Sequence, residues 1–171
     1  MSAIDLVLLG LLVREEQSAY DLARQIETHD LGEVVRLSIP AVYKNVKSLH
    51  ERGYLAAREE RRGEMPERTV YALTENGRDY FYSLMEKYAA EKVRYRFDFN
   101  SVIMNLDKVP KKRREKLLAL VKERLEKSGD EAVAGLAAWQ QKLPMTGAIL
   151  RQVELVNRAL LAWINAVTKE L

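Results

Sequence analysis

Four polar side chains with the chemistry to contact DNA lie close together in the segment SIPAVYKNVKSLHERGYL, which spans residues 38–55. Lys44 and Lys47 supply ammonium groups, Asn45 supplies an amide, and Ser48 supplies a hydroxyl. Proteins use such groups to contact phosphates and base edges. If the segment is helical, their spacing puts all four on one side, and Lys44 and Lys47 are predicted to contact phosphates or bases.

The same segment has the features of a helix with one buried face. Ser38 is the predicted N-cap, since its hydroxyl can accept a hydrogen bond from an amide of the first turn, where Pro40 is tolerated. Gly53 supplies the left-handed residue that ends the helix. Apolar residues recur at spacings of three and four at Ile39, Val42, Val46 and Leu49. Such a helix is suited to lie in a DNA major groove, although most amphipathic helices expose lysines only to water.

The predicted elements on either side complete a winged helix-turn-helix. Two shorter helices are predicted before the segment, at 3–14 and 18–28, with EEQS between them as a loop. Two strands are predicted after it, at 54–61 and 69–73, joined by the arginine-bearing loop RRGEMPER. Three helices of which the third exposes polar groups form a helix-turn-helix, and the strands that follow form its wing.

The second half of the chain is predicted to be helical. A helix capped by Thr74 is predicted to continue to Phe97, and further helices are predicted to start at Pro110, Glu131 and Gly147. The KKRR sequence after Pro110 fits either a polyanion-binding patch or a solvated helix face.

The last of these helices carries apolar residues in steps of four and three, which is the spacing of a coiled-coil seam. The seam residues are Ile149, Val153, Val156, Leu160, Trp163 and Val167. Other apolar residues, among them Ile164, add apolar surface beside the seam. A helix with apolar groups on more than one side needs two neighbours. One of them is predicted to be a second subunit, so the seam residues are predicted to mediate dimerisation.

Composition argues against several classes of protein. The chain has no cysteine, which excludes disulfides and thiolate metal sites. The run LVLLGLLV is too short to span a membrane and lacks the flank of a signal peptide, so a cytoplasmic location without membrane contact is expected. Two histidines stand without a phosphate loop or paired carboxylates, and we predict no enzymatic activity, no cofactor and no metal.

The charge of the chain is unevenly distributed. Residues 1–82 contain 11 Lys/Arg and 14 Asp/Glu, a net charge of −3, whereas residues 83–171 contain 17 and 11, a net charge of +6. If the first half binds DNA, it has to do so through a local basic patch rather than through its overall charge.

Four motifs, in this order and spacing, resemble the PadR family of bacterial transcriptional regulators. They are LLGLL at 8–12, AYDL at 19–22, the segment at 38–55, and YALTENGRDYF at 71–81. Together with the predicted helices, the resemblance implies a mostly α fold. It has an N-terminal winged helix-turn-helix DNA-binding domain at 1–82 and a C-terminal all-helical dimerisation domain at 83–171. The chain departs from the family pattern at Ala41-Val42, which could alter the bases that are read.

The resemblance also implies roles for individual residues. Tyr43 takes the position of the family's recognition-helix tyrosine, which is expected to reach a phosphate or a groove edge, and Tyr20 takes that of a tyrosine near the DNA backbone. Arginines of the wing are expected to touch the minor groove. The residues predicted to bind DNA are Tyr20, Ser38, Tyr43, Lys44, Lys47, Arg61, Arg62 and Arg68. Alternatively, both tyrosines belong to the core and the arginines only balance neighbouring glutamates.

The predicted function is that of a sequence-specific transcriptional regulator, a homodimeric repressor that binds double-stranded DNA at a palindromic operator. The resemblance favours its release by a small aromatic effector. Trp139 is the candidate effector-binding residue, because the preceding small residues Gly135, Ala137 and Ala138 leave room beside its ring. The alternative function is a winged-helix module that contacts other proteins and does not bind DNA.

Overall fold

The computed structural model describes residues 3–28, 37–61, 67–139 and 144–170, of which 135–139, 144 and 146 are described by their backbone alone. The chain forms two compact units, Met1–Val93 and Arg94–Leu171. Each unit has a hydrophobic core of its own.

In its described residues the N-terminal unit has four helices and three short strands. In chain order they are α1 (Ala3–Leu12), β1 (Gln17–Ser18), α2 (Ala19–Thr28), α3 (Ile39–Glu51), β2 (Leu55–Glu60), β3 (Arg68–Leu73) and α4 (Glu75–Ala90). Strand β3 lies between β1 and β2 and is antiparallel to both. Leu55 pairs with Leu73 and Glu60 with Arg68, so β2 and β3 form a regular hairpin. The predicted three helices and two-stranded wing are confirmed.

The strand β1 replaces part of a predicted loop. The EEQS step is predicted to lack secondary structure, whereas Gln17 and Ser18 pair with Tyr71 and Val70 of β3 and are buried there. Ser18 also caps α2, because its Oγ accepts a hydrogen bond from the Asp21 amide at 3.1 Å. Ser18 is therefore both the last residue of β1 and the N-cap of α2.

The core of the N-terminal unit lies between the first three helices, the start of β2 and α4. The buried face of α3 is the predicted stripe, with Val42, Val46 and Leu49 fully or almost fully buried. They pack against leucines and an isoleucine of the neighbouring elements, namely Leu8, Leu9, Leu12, Leu22, Ile26, Leu55 and Leu84. Burying such a side chain stabilises the fold by roughly 1.5–3 kcal/mol. The core thus fixes which face of α3 points outward.

The helix α4 is shorter than predicted. Thr74 caps it as expected, since its Oγ1 accepts a hydrogen bond from the Gly77 amide at 3.0 Å. The helix ends at Ala90, however, and not at Phe97, because Glu91 has an extended backbone and the apolar Val93 beyond it is exposed, so nothing buries a continuation. The whole of α4 belongs to the N-terminal unit. The functional division at residue 82 stays a prediction.

The C-terminal unit is built on two long helices. It contains α5 (Asn100–Ile103), a 3-10 turn (Leu106–Lys108), α6 (Lys111–Trp139) and α7 (Pro144–Glu170). Leu118, Val121 and Leu125 of α6 share a core with Ile164 of α7. Further along α6, Ser128 accepts a hydrogen bond from Asn157 of α7 at 3.4 Å. The two helices therefore run antiparallel.

The helix α6 is continuous where a break is predicted. Separate helices are predicted to start at Pro110 and Glu131, but α6 runs through Gly129 without interruption. A Cβ on Gly129 would lie 3.8 Å from the Cβ of Asn157, so the helix passes close to α7 at this glycine. Packing along α7 outweighs the low helix propensity of one glycine, which costs about 1 kcal/mol. The last helix also begins a turn earlier than predicted, at Pro144.

Candidate nucleic-acid interface

The polar face of α3 is exposed as predicted. Lys44 and Lys47 are exposed on the side of the helix across from the buried stripe, and Tyr43, which lies beside the stripe, is 44% exposed. Asn45 differs from the expectation, because its side-chain amide donates a hydrogen bond to the Ala41 carbonyl of its own helix at 2.7 Å. Two lysines and a tyrosine thus form the outward surface of α3.

The N-terminus of α3 is capped differently from the prediction. Ser38 is the N-cap residue, but its side chain makes no capping hydrogen bond. Its carbonyl accepts hydrogen bonds from the Ala41 and Val42 amides at 3.0 and 3.2 Å. Pro40 has no N–H to offer, and the Ala41 N–H is already bound to the carbonyl, so the hydroxyl lacks a donor nearby. Ser38 is exposed and its hydroxyl is available to an external partner.

The C-terminus of α3 ends as predicted. Gly53 has φ +77°, and its amide donates to the His50 carbonyl at 2.9 Å while the Tyr54 amide donates to the Leu49 carbonyl at 3.0 Å. This pair of bonds is the Schellman motif. The Nδ1 of His50 lies 2.8 Å from the Leu55 carbonyl, which fixes Nδ1 as the protonated nitrogen. His50 therefore fastens the helix end to β2.

The ion pair made by Lys47 is weak enough to be exchanged for a phosphate. Its Nζ lies 3.9 Å from the Glu51 carboxylate, one turn along the helix, and both side chains are exposed. Exposed pairs of this kind contribute about 0.3–0.5 kcal/mol. Lys47 can therefore leave Glu51 for a phosphate at little cost.

The two tyrosines predicted to approach DNA are both at the surface. Tyr20, in the first turn of α2, is 64% exposed. It lines an open groove of about 700 Å³ between the start of α2 and β3, which Arg68, Thr69 and Tyr71 also line. The alternative of a core position does not hold for the exposed rings of Tyr20 and Tyr43.

Arg68 makes ion pairs within the protein. Its Nη1 donates to Asp21 of α2 at 2.8 Å, and its Nη2 and Nε donate to Glu60 of β2 at 3.0 and 3.3 Å. The guanidinium therefore ties the wing to α2, and contact of Arg68 with DNA, which stays a prediction, has to compete with two carboxylates. The sequence did not reveal the partner Asp21, although Glu60 stands opposite Arg68 in any regular hairpin of this register.

Another arginine of the wing, Arg58, was not singled out from the sequence and also makes ion pairs within the protein. Arg58 of β2 donates from Nε and Nη2 to Glu16 at 3.0 and 2.8 Å. The hydrogen bond and the negative charge of Glu16 raise the pKa of Arg58. Arg61 follows β2 directly and is exposed, at the point where the wing loop begins. Arg62 and the rest of that loop, residues 62–66, lie outside the described residues.

The predicted dimerisation seam is divided between a packed part and an exposed part. Leu160, Trp163 and Val167 pack against the core that α6 and α7 form within one chain. By contrast, Ile149 and Val153 are 40% and 37% exposed. Ile164, which was predicted to lie beside the seam, is fully buried in that core. A role of these residues in dimerisation stays a prediction.

Val156, the remaining seam residue, is half-buried, and Trp139 is the last residue of α6. The side chain of Trp139 lies outside the described part of the structure, so its role also stays a prediction. In the part of the chain that is described, no three His, Asp or Glu side chains converge as metal ligands. No helix there is long and apolar enough to cross a membrane.

A helix-turn-helix with a β-hairpin wing and an outward basic helix defines a winged helix-turn-helix protein, here with a helical second unit. Residues 8–83 match the family model of the transcriptional regulator PadR-like family. Over this segment the chain is similar to the PadR-like family of transcriptional regulators, whose members are not enzymes. The resemblance of the four motifs is thereby confirmed.

Solved structures share the fold over the whole chain. Bacillus subtilis PadR in complex with operator DNA has a TM-score of 0.82 at 14% identity, covering 100% of this chain and 99% of that one. The same protein with p-coumaric acid has a TM-score of 0.77 at 14% identity, covering 98% and 96%. The Vibrio cholerae virulence activator AphA has a TM-score of 0.67 at 18% identity, covering 98% and 97%. No curated protein sequence matches the chain.

Proposed function

We propose that this protein is a homodimeric repressor that acts in the cytoplasm, binds a palindromic operator and leaves it when a small aromatic effector binds. The observation that carries the DNA-binding part is the outward surface of α3, where Lys44 and Lys47 are exposed across the helix from the buried stripe and Tyr43 is exposed beside it. The match of residues 8–83 to the PadR-like family model and the structural likeness to an operator-bound protein support the same assignment. In this proposal α3 enters the major groove and the wing reaches the adjacent minor groove.

The proposed DNA contacts fall into two groups, those to phosphates and those to the edge of a groove. Lys44, Lys47, Ser38 and Tyr20 are suited to phosphates, which position the protein but carry no sequence information, and Tyr43 is suited to a groove edge. Because Glu51 and other acids accompany the basic residues, few phosphates are neutralised by one chain. Two chains related by a two-fold axis would place their recognition helices in successive major grooves about 34–36 Å apart. Dimerisation therefore supplies the affinity that a single winged helix lacks.

The exposed apolar side chains of α7 support a second subunit as the partner of the C-terminal unit. Ile149, Val153 and Leu155 are large and exposed near the start of the helix. Covering them against a second copy would remove apolar surface from water. We assign dimerisation to 83–171 and DNA contact to 1–82.

The proposed effector is supported mainly by the structure of another protein with this fold. B. subtilis PadR, which shares the fold at 14% identity, has been solved with p-coumaric acid. An effector changes DNA affinity only if it binds the DNA-competent and incompetent states with different affinity. Trp139 of this chain supplies a flat ring for an aromatic compound.

A salt titration of Lys47→Ala tests the DNA-binding assignment. The protein is first footprinted on the DNA upstream of its own gene, and its affinity for the protected site is then measured at several salt concentrations. If Lys47 neutralises one phosphate, the variant binds more weakly and the slope of log K against log salt falls by about one unit. Lys127→Ala is the matched control, because Lys127 is an exposed lysine with a similar i,i+4 partner, Glu131, at 4.0 Å.

Unchanged affinity and slope in a folded Lys47→Ala protein would remove Lys47 from the interface. Failure of the wild-type protein to bind DNA at any salt concentration would overturn the proposed function. That result would favour the winged-helix module for protein contacts.

A further inference from the structure

The N-terminal unit buries a carboxylate beside the end of the recognition helix. Asp5 of α1 is only 4% exposed. A buried carboxylate is costly unless it is paired and hydrogen-bonded. Two partners lie at its Oδ2, the Arg52 Nη1 at 3.6 Å and the Tyr80 hydroxyl, which donates at 3.2 Å. Arg52 directly follows α3, and Tyr80 belongs to α4, so a single carboxylate joins three helices.

Arg52 is held by aromatic rings as well as by charge. Its guanidinium carbon lies 4.7 Å from the centre of the Tyr54 ring and 5.0 Å from that of Tyr80. These two rings stack on each other at 4.2 Å and an angle of 10°. A guanidinium over an aromatic face is attracted by the ring quadrupole. Arg52 therefore has a fixed direction although it lies at the surface end of the helix.

Tyr80 keeps its proton and Arg52 keeps its charge near neutral pH. Burial raises the pKa of Tyr80, so its hydroxyl keeps the proton that it donates to Asp5. The neighbouring Tyr80 raises the pKa of Arg52, which remains charged. The hydrogen bond from Tyr80 to Asp5 and the positive charge of Arg52 therefore persist together.

The backbone of the turn after α3 is hydrogen-bonded to Thr74, the N-cap residue of α4. The Thr74 hydroxyl lies 2.9 Å from the Gly53 carbonyl and 3.1 Å from that of Tyr54, and the Thr74 amide donates to Tyr54 at 3.1 Å. The turn that ends α3 is thus bound by the first residue before α4, while Arg52 is bound by Tyr80 further along α4. Two independent sets of contacts hold the end of α3 against α4.

We infer that Arg52 is a positioning residue that, with Asp5 and Tyr80, sets the direction of α3 and thereby discriminates the operator from other DNA. This inference rests on the proposed DNA binding. Hydrogen bonds to base edges require an accurately directed helix, whereas attraction to phosphates depends mainly on charge and tolerates small tilts. The charge of Arg52 is directed at Asp5 and is balanced there. Loss of the cluster should therefore lower specific binding and spare non-specific binding.

Two variants test the inference without leaving a buried charge unpaired. Tyr80→Phe removes only the hydroxyl that reaches Asp5, and the double variant Asp5→Asn with Arg52→Gln removes both charges. Each should lower the ratio of operator affinity to random-DNA affinity about five- to tenfold, the loss expected from one hydrogen bond that aligns the helix. Affinity for random DNA and its salt slope should not change. Tyr82→Phe is the matched control, because Tyr82 is an exposed tyrosine of the same helix.

The outcomes separate this inference from its alternatives. A salt slope lower by about one unit in the double variant would make Arg52 a phosphate contact and overturn the positioning role. An unchanged affinity ratio in Tyr80→Phe protein that is folded by circular dichroism would also overturn it. If the wild-type protein does not prefer an operator at all, the proposed function fails first, whatever the variants do.

Discussion

Replacing Gly77 by alanine is expected to destabilise the N-terminal unit, although alanine is the better helix former. A Cβ at this position would lie 2.1 Å from the carbonyl oxygen and 3.0 Å from the carbonyl carbon of Tyr54, whereas ordinary contact begins at 3.4 Å. The obstacle is backbone and not the end of a flexible side chain. The start of α4 therefore has to move away from the turn after α3 by more than about 1 Å.

The expected loss of stability is about 2–4 kcal/mol. Such overpacking costs about 1–3 kcal/mol. Moving α4 also lengthens two hydrogen bonds, one from the Thr74 amide to the Tyr54 carbonyl at 3.1 Å and one that the Thr74 hydroxyl shares between the Gly53 and Tyr54 carbonyls at 2.9 and 3.1 Å, and each contributes about 1 kcal/mol. The higher helix propensity of alanine offsets about 1 kcal/mol of this loss.

Thermal unfolding followed by circular dichroism measures the effect. For a chain of this size the expected loss lowers Tm by about 4–16 °C. Gly10→Ala is the control, since Gly10 is also a helical glycine of this unit but its Cβ would lie 3.5 Å from Phe81 Cε2, an ordinary contact. That variant should be as stable as the wild type or more stable by up to about 1 kcal/mol. Equal stability of the Gly77→Ala and Gly10→Ala proteins would refute the reasoning.

Two further predictions concern the wing and the effector. Arg61→Ala with Arg62→Ala should weaken binding to all sequences in a gel-shift titration, most where the flank is A·T-rich and its minor groove narrow. A loss confined to one base pair would place these arginines in the major groove instead. An aromatic effector should quench tryptophan fluorescence and release DNA from the wild type, while Trp139→Ala binds DNA but does not respond. Full release of the Trp139→Ala protein from DNA would exclude this tryptophan.

The recognition helix could be predicted because its signals are local. Pro40 in the first turn, the apolar stripe and the left-handed Gly53 all act within a few residues of where they stand, and α3 runs between them as expected. The hydroxyl of Ser38 is the exception. Its capping bond depends on a free amide at the right position, and Pro40 and Ala41 do not offer one.

The elements that were missed depend on distant partners. The strand β1 has only two residues, too few for an alternating pattern, and it exists because β3 pairs with it. Arg68 meets Asp21, which is 47 residues away along the chain, so no pattern around the wing reveals the pair. A new helix was expected to start at Glu131, yet packing beside Asn157 continues α6 through Gly129. In each case the sequence shows only local propensity, whereas the structure depends on a contact with a distant residue.

The heptad spacing in α7 also leaves its partner open. An apolar seam predicts that another helix packs against it, but not whether that helix belongs to the same chain or to a second subunit. Within one chain the partner of the later half is α6, which buries Ile164 fully and covers Leu160 in part. The earlier half keeps Ile149 and Val153 exposed. If the protein is a dimer, we expect the second subunit to cover the earlier half, since the later half already has a neighbour.

Glutamate substitutions distinguish the two halves. Ile149→Glu with Val153→Glu should yield folded monomers, because each glutamate stays hydrated in the monomer but would be buried in the dimer at a cost of several kcal/mol. Leu160→Glu should instead lower the stability of the C-terminal unit itself, since this side chain packs against the core between α6 and α7. Sedimentation measures the assembly and circular dichroism the folding. A dimer that survives the paired substitution would mean that the subunits associate through another surface and that the exposed half of α7 is not the interface.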